Sequence, residues 1–365
     1  MRGEKAMDLH IHTDEEALVV LGVDTHADAH VAVALDGFGR RLGHKTVPST
    51  EAGYAALVAW AEEFGALDRA GVEGCGSFGV GLARFLRARG VELVEVNRPN
   101  RQHRRRFGKH DAADAEAAAR ALQANTATGE PKTADGPAEM VRVLHVVRRS
   151  AIKARTQAAN QLRALLVTAP EELKAELQGL STAKLVATAA RFRPGGLPKD
   201  LRAATKLAMR SVAPRHRRLS EEIAELEEQI GRLVSESVPA LVSLRGVGTD
   251  LAASLLVAVG DNPQRLRSEA SFARLCGVSP VPASSGKTVR HRLNRGGNRD
   301  ANRALHVLAL GRMSWDERTR EYVARRGAEG KSKREILRCL KRYVAREVYR
   351  ILTAPGALPS SISAP

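Results

Sequence analysis

The amino-acid sequence predicts an α/β domain followed by a mostly helical, basic region. Three observations support this division. Short apolar runs separated by glycine-containing turns fill most of residues 17–96 and alternate with helical patterns, as in a mixed sheet. The polar stretch ANTATGEPKTADGP at residues 124–137 is typical of a linker. Helical periodicity then dominates residues 138–350.

The predicted α/β domain covers residues 17–130. Its first runs, ALVVLGVD, HVAVALD and RRLGHKTV, predict three consecutive strands in a meander. A helix is expected at Glu51–Phe64, where apolar residues recur at helical spacing. The strands AGVEGCG and VELVEV then alternate with helices at Gly79–Arg89 and Asp111–Gln123. This order predicts an α/β sheet of mixed direction.

A helical insert is predicted at residues 138–237, with long helices near 138–167 and 214–237. Apolar residues in the second helix follow a 4-3-4-3 spacing with Glu-rich flanks, which predicts a short coiled coil. They are Leu219, Ile223, Leu226, Ile230 and Leu233. Packing in an ordinary helix bundle explains the pattern equally well. A helical, basic domain is expected at 238–350, and polar tails at 1–16 and 351–365.

The balance of charge indicates the class of partner. A formal net charge of +17 over 365 residues predicts binding to a polyanion, which includes nucleic acid and anionic membrane surfaces. Aromatic residues make up only 4%, which disfavours recognition by rows of stacked bases. The cysteines, Cys75, Cys276 and Cys339, lack metal-ligand or disulfide spacing. No signal-peptide pattern or membrane-spanning run is found, so we expect a cytoplasmic protein with reduced cysteines.

Four carboxylates in the first domain occupy positions typical of a metal site. Asp24 ends the first predicted strand and Glu73 ends the fourth. Asp111 and Asp114 lie three residues apart at the start of a helix, so both can face one side. Sites in α/β sheets gather at strand ends and helix starts, so we expect the four acids to converge. Their oxygen ligands suit Mg²⁺ or Mn²⁺.

Simpler roles for these acids stay open. Asp111 would cap its helix, and Asp114 would be a solvated acid that the helix dipole favours. Asp28, Asp36 and Glu116 are alternative ligands.

A basic segment precedes the acidic pair, and beside a carboxylate cluster it predicts contacts to a phosphate backbone. Its candidate contacts are Arg101, Arg104, Arg105, Arg106 and Lys109. A solvated basic loop is the alternative. His10 and His12 in DLHIHT suggest a metallo-phosphoesterase instead, although no second histidine cluster follows.

Residues 240–260 predict two helices joined by the turn LRGVG, a helix–hairpin–helix module. Gly246 and Gly248 would let backbone amides approach a phosphate closely, and the following helix would present its positive N-terminus. A glycine-rich turn between packed helices is the alternative.

Ser284 and Ser285 precede Gly286 in a predicted loop that is crowded with cations. A serine hydroxyl is a poor nucleophile unless its proton is removed or its product is stabilised. Nearby cations would hold a scissile phosphate and its developing charge. The candidate cations are Lys287, Arg290, Arg292, Arg295 and Arg299. An ordinary structural loop is the alternative.

Together, these segments resemble the insertion sequence 110 family of transposases. The sequences GVDTH, VEGCGSFG and KHDAADAEAAAR, which carry Asp24, Glu73, Asp111 and Asp114, are similar to the DEDD motif of that family. The segment from LRGVGTDLAASLL through LCGVSPVPASSGKTVRHRLNRGGNRDANRAL is similar to its second domain. The resemblance spans roughly residues 18–310.

The resemblance implies an RNase H-type, RuvC-like N-terminal domain, a coiled-coil insert used in oligomerisation, and a helical domain with a nucleophilic serine. Its motif places that serine directly before the glycine, at Ser285, with Ser284 as the one-residue alternative. It further implies Mg²⁺-assisted DNA strand exchange through a phosphoserine link, directed by a structured bridge RNA that pairs with donor and target DNA. The implied assembly is a homo-oligomer, dimer to tetramer, that acts at the nucleoid.

Two other functions remain open at this point. A RuvC-like junction endonuclease would use water as the nucleophile and leave free DNA ends. A non-enzymatic basic DNA- or RNA-binding protein would not depend on the carboxylates.

Overall fold

The structure is a computed structural model that describes residues 18–96, 110–127, 129–193, 195–287 and 291–354. The chain divides into two compact units, Met1–Ala134 and Asp135–Pro365. Within the described residues, no helix has the length and apolar character to cross a bilayer.

A five-stranded mixed sheet forms the centre of the first unit. Its strands are β1 (Leu18–Thr25), β2 (Ala29–Asp36), β3 (Arg41–Pro48), β4 (Ala66–Glu73) and β5 (Glu92–Val96). They are ordered β3-β2-β1-β4-β5. The first three strands form an antiparallel meander, and β4 and β5 extend the sheet in parallel with β1. The predicted α/β class is confirmed, and the arrangement is consistent with an RNase H-like fold.

Helices cover both faces of this sheet. They are α1 (Glu51–Glu62), α2 (Val80–Ala88) and α3 (Asp111–Gln123). Alternate residues of β1 face opposite sides, so Leu21 and Val23 pack in the cluster that contains α1 and α2, and Val20 packs in the cluster that contains α3. Burial on both faces explains why β1 is a continuous apolar run in the sequence.

The described part of the second unit is mostly helical, as predicted. Its α-helices within the described residues are α4 (Pro137–Val167), α5 (Glu171–Leu177), α6 (Thr182–Ala190), α7 (Leu201–Ser237), α8 (Pro239–Val242), α9 (Thr249–Val259), α10 (Glu269–Leu275), α11 (Arg299–Trp315), α12 (Glu317–Ala328) and α13 (Lys333–Leu352). A 3₁₀ turn covers Pro263–Arg265, and a small hairpin is formed by β6 (Val281–Pro282) and β7 (His291–Arg292). The main core lies among α9, α11 and α13 and the C-terminal part of α7.

Helices α4 and α7 pack as an antiparallel pair within the same chain. Arg148 Nε donates to Glu227 Oε1 at 3.0 Å near one end, and Arg215 donates to Gln161 near the other. Ile230 of the predicted heptad seam is 2% exposed and belongs to a core cluster that also contains residues of α4. At least part of the seam is therefore buried inside one chain.

The helix predicted near residue 214 begins earlier, at Leu201. Asp200 caps its N-terminus, because the Asp200 side chain accepts a hydrogen bond from the Ala203 amide at 2.6 Å. Pro214 lies inside the helix rather than near its start. A proline there removes one backbone hydrogen bond, and packing against α4 supports the helix across this position.

Candidate metal centre and serine hairpin

Asp24 and Glu73 lie at equivalent ends of two neighbouring parallel strands. Val23 of β1 is paired with Val72 of β4, so the next residue along each strand is one of the two acids. Thr25 Oγ1 donates to the Glu73 carbonyl oxygen at 2.7 Å and joins the two strand ends. The sheet therefore places both carboxylates at one edge.

Two glycines allow α3 to approach this edge closely. A Cβ on Gly22 would lie 2.0 Å from the Ala115 carbonyl oxygen, and a Cβ on Gly71 would lie 2.4 Å from a Leu122 methyl group. Because side chains alternate along a strand, the acid two residues after each glycine projects toward the same helix. These acids are Asp24 and Glu73.

The first turn of α3 supplies the other two acids. Asp114 is buried, with 6% exposure, and Asp111 is half-exposed. Burial raises the pKa of Asp24, and the negative charges of Glu73, Asp114 and Asp111 raise it further, whereas His26 lowers it. The four predicted carboxylates are therefore close enough to one another to interact electrostatically.

His26 joins this cluster, although the sequence analysis did not single it out. Its Nε2 lies 3.3 Å from Asp24 Oδ2 and 3.5 Å from Asp111 Oδ2. One ligand atom from each of these three residues lies within 4.8 Å of the others. The same Nε2 is buried and makes no hydrogen bond with the described residues. The one sequence signal for this role is that His26 lies two residues after Asp24, in the turn that follows β1.

Of the three alternative metal ligands, two are paired with arginines and the third is exposed to solvent. Asp36 Oδ2 accepts from Arg40 Nε at 2.7 Å, and Glu116 Oε1 accepts from Arg120 Nη2 at 2.7 Å. Asp28 is exposed. The Arg partners already balance the charges of Asp36 and Glu116, which makes these two acids poorer candidates for a cation site.

Ser285 lies in the second unit, in the segment that connects β6 to β7. Val281 is paired with Arg292 in this hairpin. Ser284 and Ser285 are both exposed, and Gly286 adopts a positive φ of 55° that suits a tight turn. Both serines therefore lie at the surface of the second unit.

Several predicted cations accompany the hairpin on the surface. Those that the structure describes are exposed, namely Lys287, Arg292, Arg295 and Arg299. Other predicted contacts lie outside the described residues: Arg101, Arg104, Arg105, Arg106, Lys109 and Arg290, with His10 and His12 of the alternative metal site.

The glycines of the proposed helix–hairpin–helix lie before α9. Gly246 has a φ of +90°, and Gly248 is the N-cap residue of α9. Asp250, in the first turn of α9, accepts from Arg148 at 2.9 Å and from Arg303 at 3.0 Å. A carboxylate therefore already occupies the positive end of this helix, and an incoming phosphate would be placed beside it.

These features define a two-unit protein in which an acidic cluster at a sheet edge is combined with a serine-bearing helical unit. Two family models match the chain, and the first extends beyond the α/β unit through helix α4. A family model for DEDD proteins of insertion sequence 110, described as "Transposase", matches residues 21–169. A second model, described as "Transposase IS116/IS110/IS902 family", matches residues 238–324. The chain belongs to the insertion sequence 110 family of transposases.

Two curated relatives support this assignment. The "Insertion element IS110 uncharacterized 43.6 kDa protein" of Streptomyces coelicolor is 37% identical over 125 residues, which is 33% of this chain and 31% of that protein. The "Probable family 20 transposase" of Pseudomonas aeruginosa is 31% identical over 182 residues, which is 49% of this chain and 51% of that protein. The matches thus span about a third and about half the length of these relatives.

Proposed function

We propose that this protein is a DNA transposase that cleaves and exchanges DNA strands, with the Ser285 hydroxyl as the nucleophile. One observation carries the proposal most directly. The two family regions occur in the expected order, the first covering the α/β unit and helix α4 and the second covering part of the helical unit, and the first unit gathers its acids at one sheet edge. Cleavage would form a bond between Ser285 Oγ and phosphorus and release a DNA hydroxyl. A hydroxyl of another strand would reverse the attack and free the serine.

The acidic cluster fits a divalent cation. Burial, followed by the like charges around it, raises the pKa of the Asp24 carboxyl, and a bound cation would stabilise the ionised form. The His26 Nε2 beside it makes no hydrogen bond with the described residues. Asp24, Glu73, Asp111 and Asp114 would hold Mg²⁺ or Mn²⁺, and ligand atoms of Asp24 and Asp111 already lie within 4.8 Å of each other. Such an ion polarises a phosphodiester and supports the leaving oxygen. By holding the ion, the acids would determine where a phosphate bound to that ion can lie.

The cations near the hairpin support the placement of a phosphate beside Ser285. Lys287 and Arg292 are exposed near the same turn and would neutralise the phosphate oxygens during attack. The glycine turn before α9 is proposed as a further backbone contact that does not read sequence.

The proposed partners are donor DNA, target DNA and a structured guide RNA that pairs with both. The net charge of +17 is appropriate for holding several phosphate backbones at once. If base pairing selects the sites, the protein needs few base contacts, in keeping with its aromatic content of 4%. We also propose that the paired helices α4 and α7 mediate a homo-oligomer, dimer to tetramer, as a coiled coil would.

A covalent adduct tests the nucleophile. Purified protein is incubated with end-labelled DNA carrying an element end, a matching guide RNA and Mg²⁺, and is resolved on a denaturing gel with and without protease. Ser285→Ala should abolish the protease-sensitive adduct and retain DNA binding. Ser284→Ala, which changes the neighbouring exposed hydroxyl, is the matched control and should retain the adduct.

Each alternative gives a different gel. Free cleaved ends without attached protein would indicate a hydrolytic nuclease and reject the serine mechanism. An adduct that is lost only in Ser284→Ala would identify Ser284, rather than Ser285, as the nucleophile. If Asp24→Asn and Glu73→Gln behaved like the unsubstituted protein in every assay, the protein would be a nucleic-acid-binding protein that does not depend on the carboxylates.

A further inference from the structure

The second unit contains a cavity of about 690 Å³ at the base of the hairpin that carries Ser285. Its walls are residues 277–280 just before β6, residues 291–294 in and after β7, and parts of α12 and α13. Small-molecule sites have volumes of roughly 300–1,000 Å³. The cavity can therefore admit one nucleotide, whereas a DNA duplex is far too wide for it.

Positive charge dominates the wall of this cavity. Its Lys and Arg residues are Arg292, Arg326, Lys331, Arg338, Lys341, Arg342 and Arg346. Glu335 is the one acid among the described lining residues. Its carboxylate accepts from the amide and the hydroxyl of Ser332 at 2.9 and 2.7 Å, where it caps α13. Glu335 also interacts electrostatically with Lys331 and Arg338, but it supplies one negative charge against seven Lys and Arg side chains.

Some of the cations already have acidic partners outside the cavity wall. Arg342 and Arg346 are paired with Glu269, and Arg326 is paired with Glu329. Four cations of the wall form no ion pair with the described residues, namely Arg292, Lys331, Arg338 and Lys341. The free cavity therefore holds an excess of positive charge.

Lys341 is one of these four groups and is partly buried. Its Nζ donates to the neutral Asn302 Oδ1 at 3.0 Å, which satisfies a hydrogen bond but does not balance the charge. Burial lowers the pKa of Lys341, and the nearby Arg338 lowers it further. A partly buried cation beside a second cation destabilises the free protein, and an anion between them would relieve that cost.

An aromatic surface lies beside these cations. Tyr322 and Tyr343 pack edge to face, with ring centroids 5.6 Å apart, and Tyr343 is 52% exposed. The guanidinium of Arg346 lies 5.7 Å from the Tyr343 ring centre. Stacking of a base on an aromatic side chain contributes about 1–3 kcal/mol. Cations for a phosphate and a ring for a base are thus present in one cavity.

We propose that this cavity binds one unpaired nucleotide of the strand held at the Ser285 hairpin, with its phosphate against Arg338 and Lys341 and its base against Tyr343. The placement beside Ser285 rests on the proposed function, whereas binding of the nucleotide does not. A second cavity of about 450 Å³ shares the wall residues 292–294 and adds Arg295. The strand would leave the first cavity across this shared wall.

Cys339 provides a direct probe, because it lines the cavity and is only partly buried, whereas Cys75 and Cys276 are buried. Full-length Ser285→Ala protein is treated with iodoacetamide, and alkylation of each cysteine is followed by mass spectrometry. Saturating six-nucleotide single strands should slow alkylation of Cys339 about tenfold. A duplex of the same sequence should not. Alkylation at Cys75 and Cys276 would report unfolding.

Matched variants assign the contacts. Arg338→Gln should weaken binding of the labelled single strand about tenfold at constant salt. Arg334→Gln should weaken it less than about threefold, because Arg334 lies one turn earlier on α13, is exposed, and does not line the cavity. Tyr343→Phe should keep the affinity, and Tyr343→Leu should lose it. Thermal unfolding of every variant is measured alongside.

Parallel experiments with DNA and RNA of the same sequence identify the source of the nucleotide. Protection of Cys339 by either strand supports the site. The strand that slows alkylation more, DNA or RNA, is the polymer that the site prefers. Equal weakening by Arg338→Gln and Arg334→Gln, or alkylation that is unaffected by a saturating strand, would overturn it. These results are independent of the covalent adduct. A protected Cys339 without an adduct would reject the serine mechanism alone, and an adduct without protection would reject this site alone.

Discussion

Substituting Gly22 should displace helix α3 and thereby disrupt the proposed metal site. A Cβ at this position would lie 2.0 Å from the Ala115 carbonyl oxygen and 2.4 Å from the Ala119 amide nitrogen. Both are backbone atoms, so no side-chain rotation can relieve the contact. Restoring an ordinary separation near 3.4 Å requires Gly22→Ala to move the helix by about 1.4 Å. The first turn of that helix carries Asp111 and Asp114.

The size of the effect follows from this movement. Overpacking of a close contact costs about 1–3 kcal/mol, which corresponds to a loss of several degrees in melting temperature for a unit of this size. Mutations of the groups that hold metal ligands in position typically weaken metal binding about 10- to 100-fold. We therefore expect Gly22→Ala to lower the melting temperature and also to weaken Mn²⁺ binding in calorimetry carried out well below the unfolding transition.

Alanine substitutions at two other glycines serve as controls for the effect of Gly22→Ala on Mn²⁺ binding. A Cβ on Gly37 would meet nothing within 4 Å, so Gly37→Ala should bind Mn²⁺ like the unsubstituted protein. A Cβ on Gly71 would first meet the Leu122 methyl group, which can rotate, so Gly71→Ala should show an intermediate loss. Folded Gly22→Ala protein with undiminished Mn²⁺ affinity would refute the argument that close approach of α3 positions the acids.

Three further predictions concern charge and burial. Asp24→Asn should raise the melting temperature of the metal-free protein by a few degrees, because it removes a buried charge among like charges. The same substitution should abolish stabilisation by Mn²⁺. A metal-free variant that is less stable than the unsubstituted protein would contradict this reasoning. Hydrogen bonding from His145 and two arginines holds the pKa of Asp250 below its usual 3.8. The resulting stability is present above pH 3.8 and is lost as the pH falls below it, so acid-unfolding curves of Asp250→Asn should depend less on pH in that range. Burial raises the pKa of Cys75 and Cys276 to about 12, so a thiol reagent at pH 7.5 should count no more than one of three thiols before denaturation.

Much of the first unit could be predicted from the sequence because its signals are local. The helix at Asp111–Gln123 has the predicted boundaries, since its acidic first turn and alanine-rich stripe define a start and a buried face. Strand β4 was harder to delimit. It begins at Ala66, four residues before the predicted run, because its early residues alternate with polar ones at the end of the sheet. Pairing with β1 defines this start, and pairing is not visible in a single segment.

The candidate site shows the same limit. Asp24 and Glu73 could be found because each ends an apolar strand run. His26 could not, because a histidine in a turn has no periodicity, and its position depends on how the chain reverses after β1. The basic cavity was missed for a related reason. Its wall combines residues from 277 to 346, and cations distributed along a helix do not reveal which of them face a cavity.

Charge is arranged in opposite ways in the two units, and each arrangement is unfavourable without a ligand. In the first unit, acids gather around the buried Asp24, and burial together with repulsion by these acids raises its pKa. In the second unit, Arg338 adds to the unfavourable surroundings of the half-buried Lys341. Folding alone would favour mixed charges at both places, because isolated like-charge clusters lower stability. A cation at the acidic cluster and an anion at the basic cavity would each relieve the cost at its own site. Binding at either site should therefore stabilise the unit that contains it.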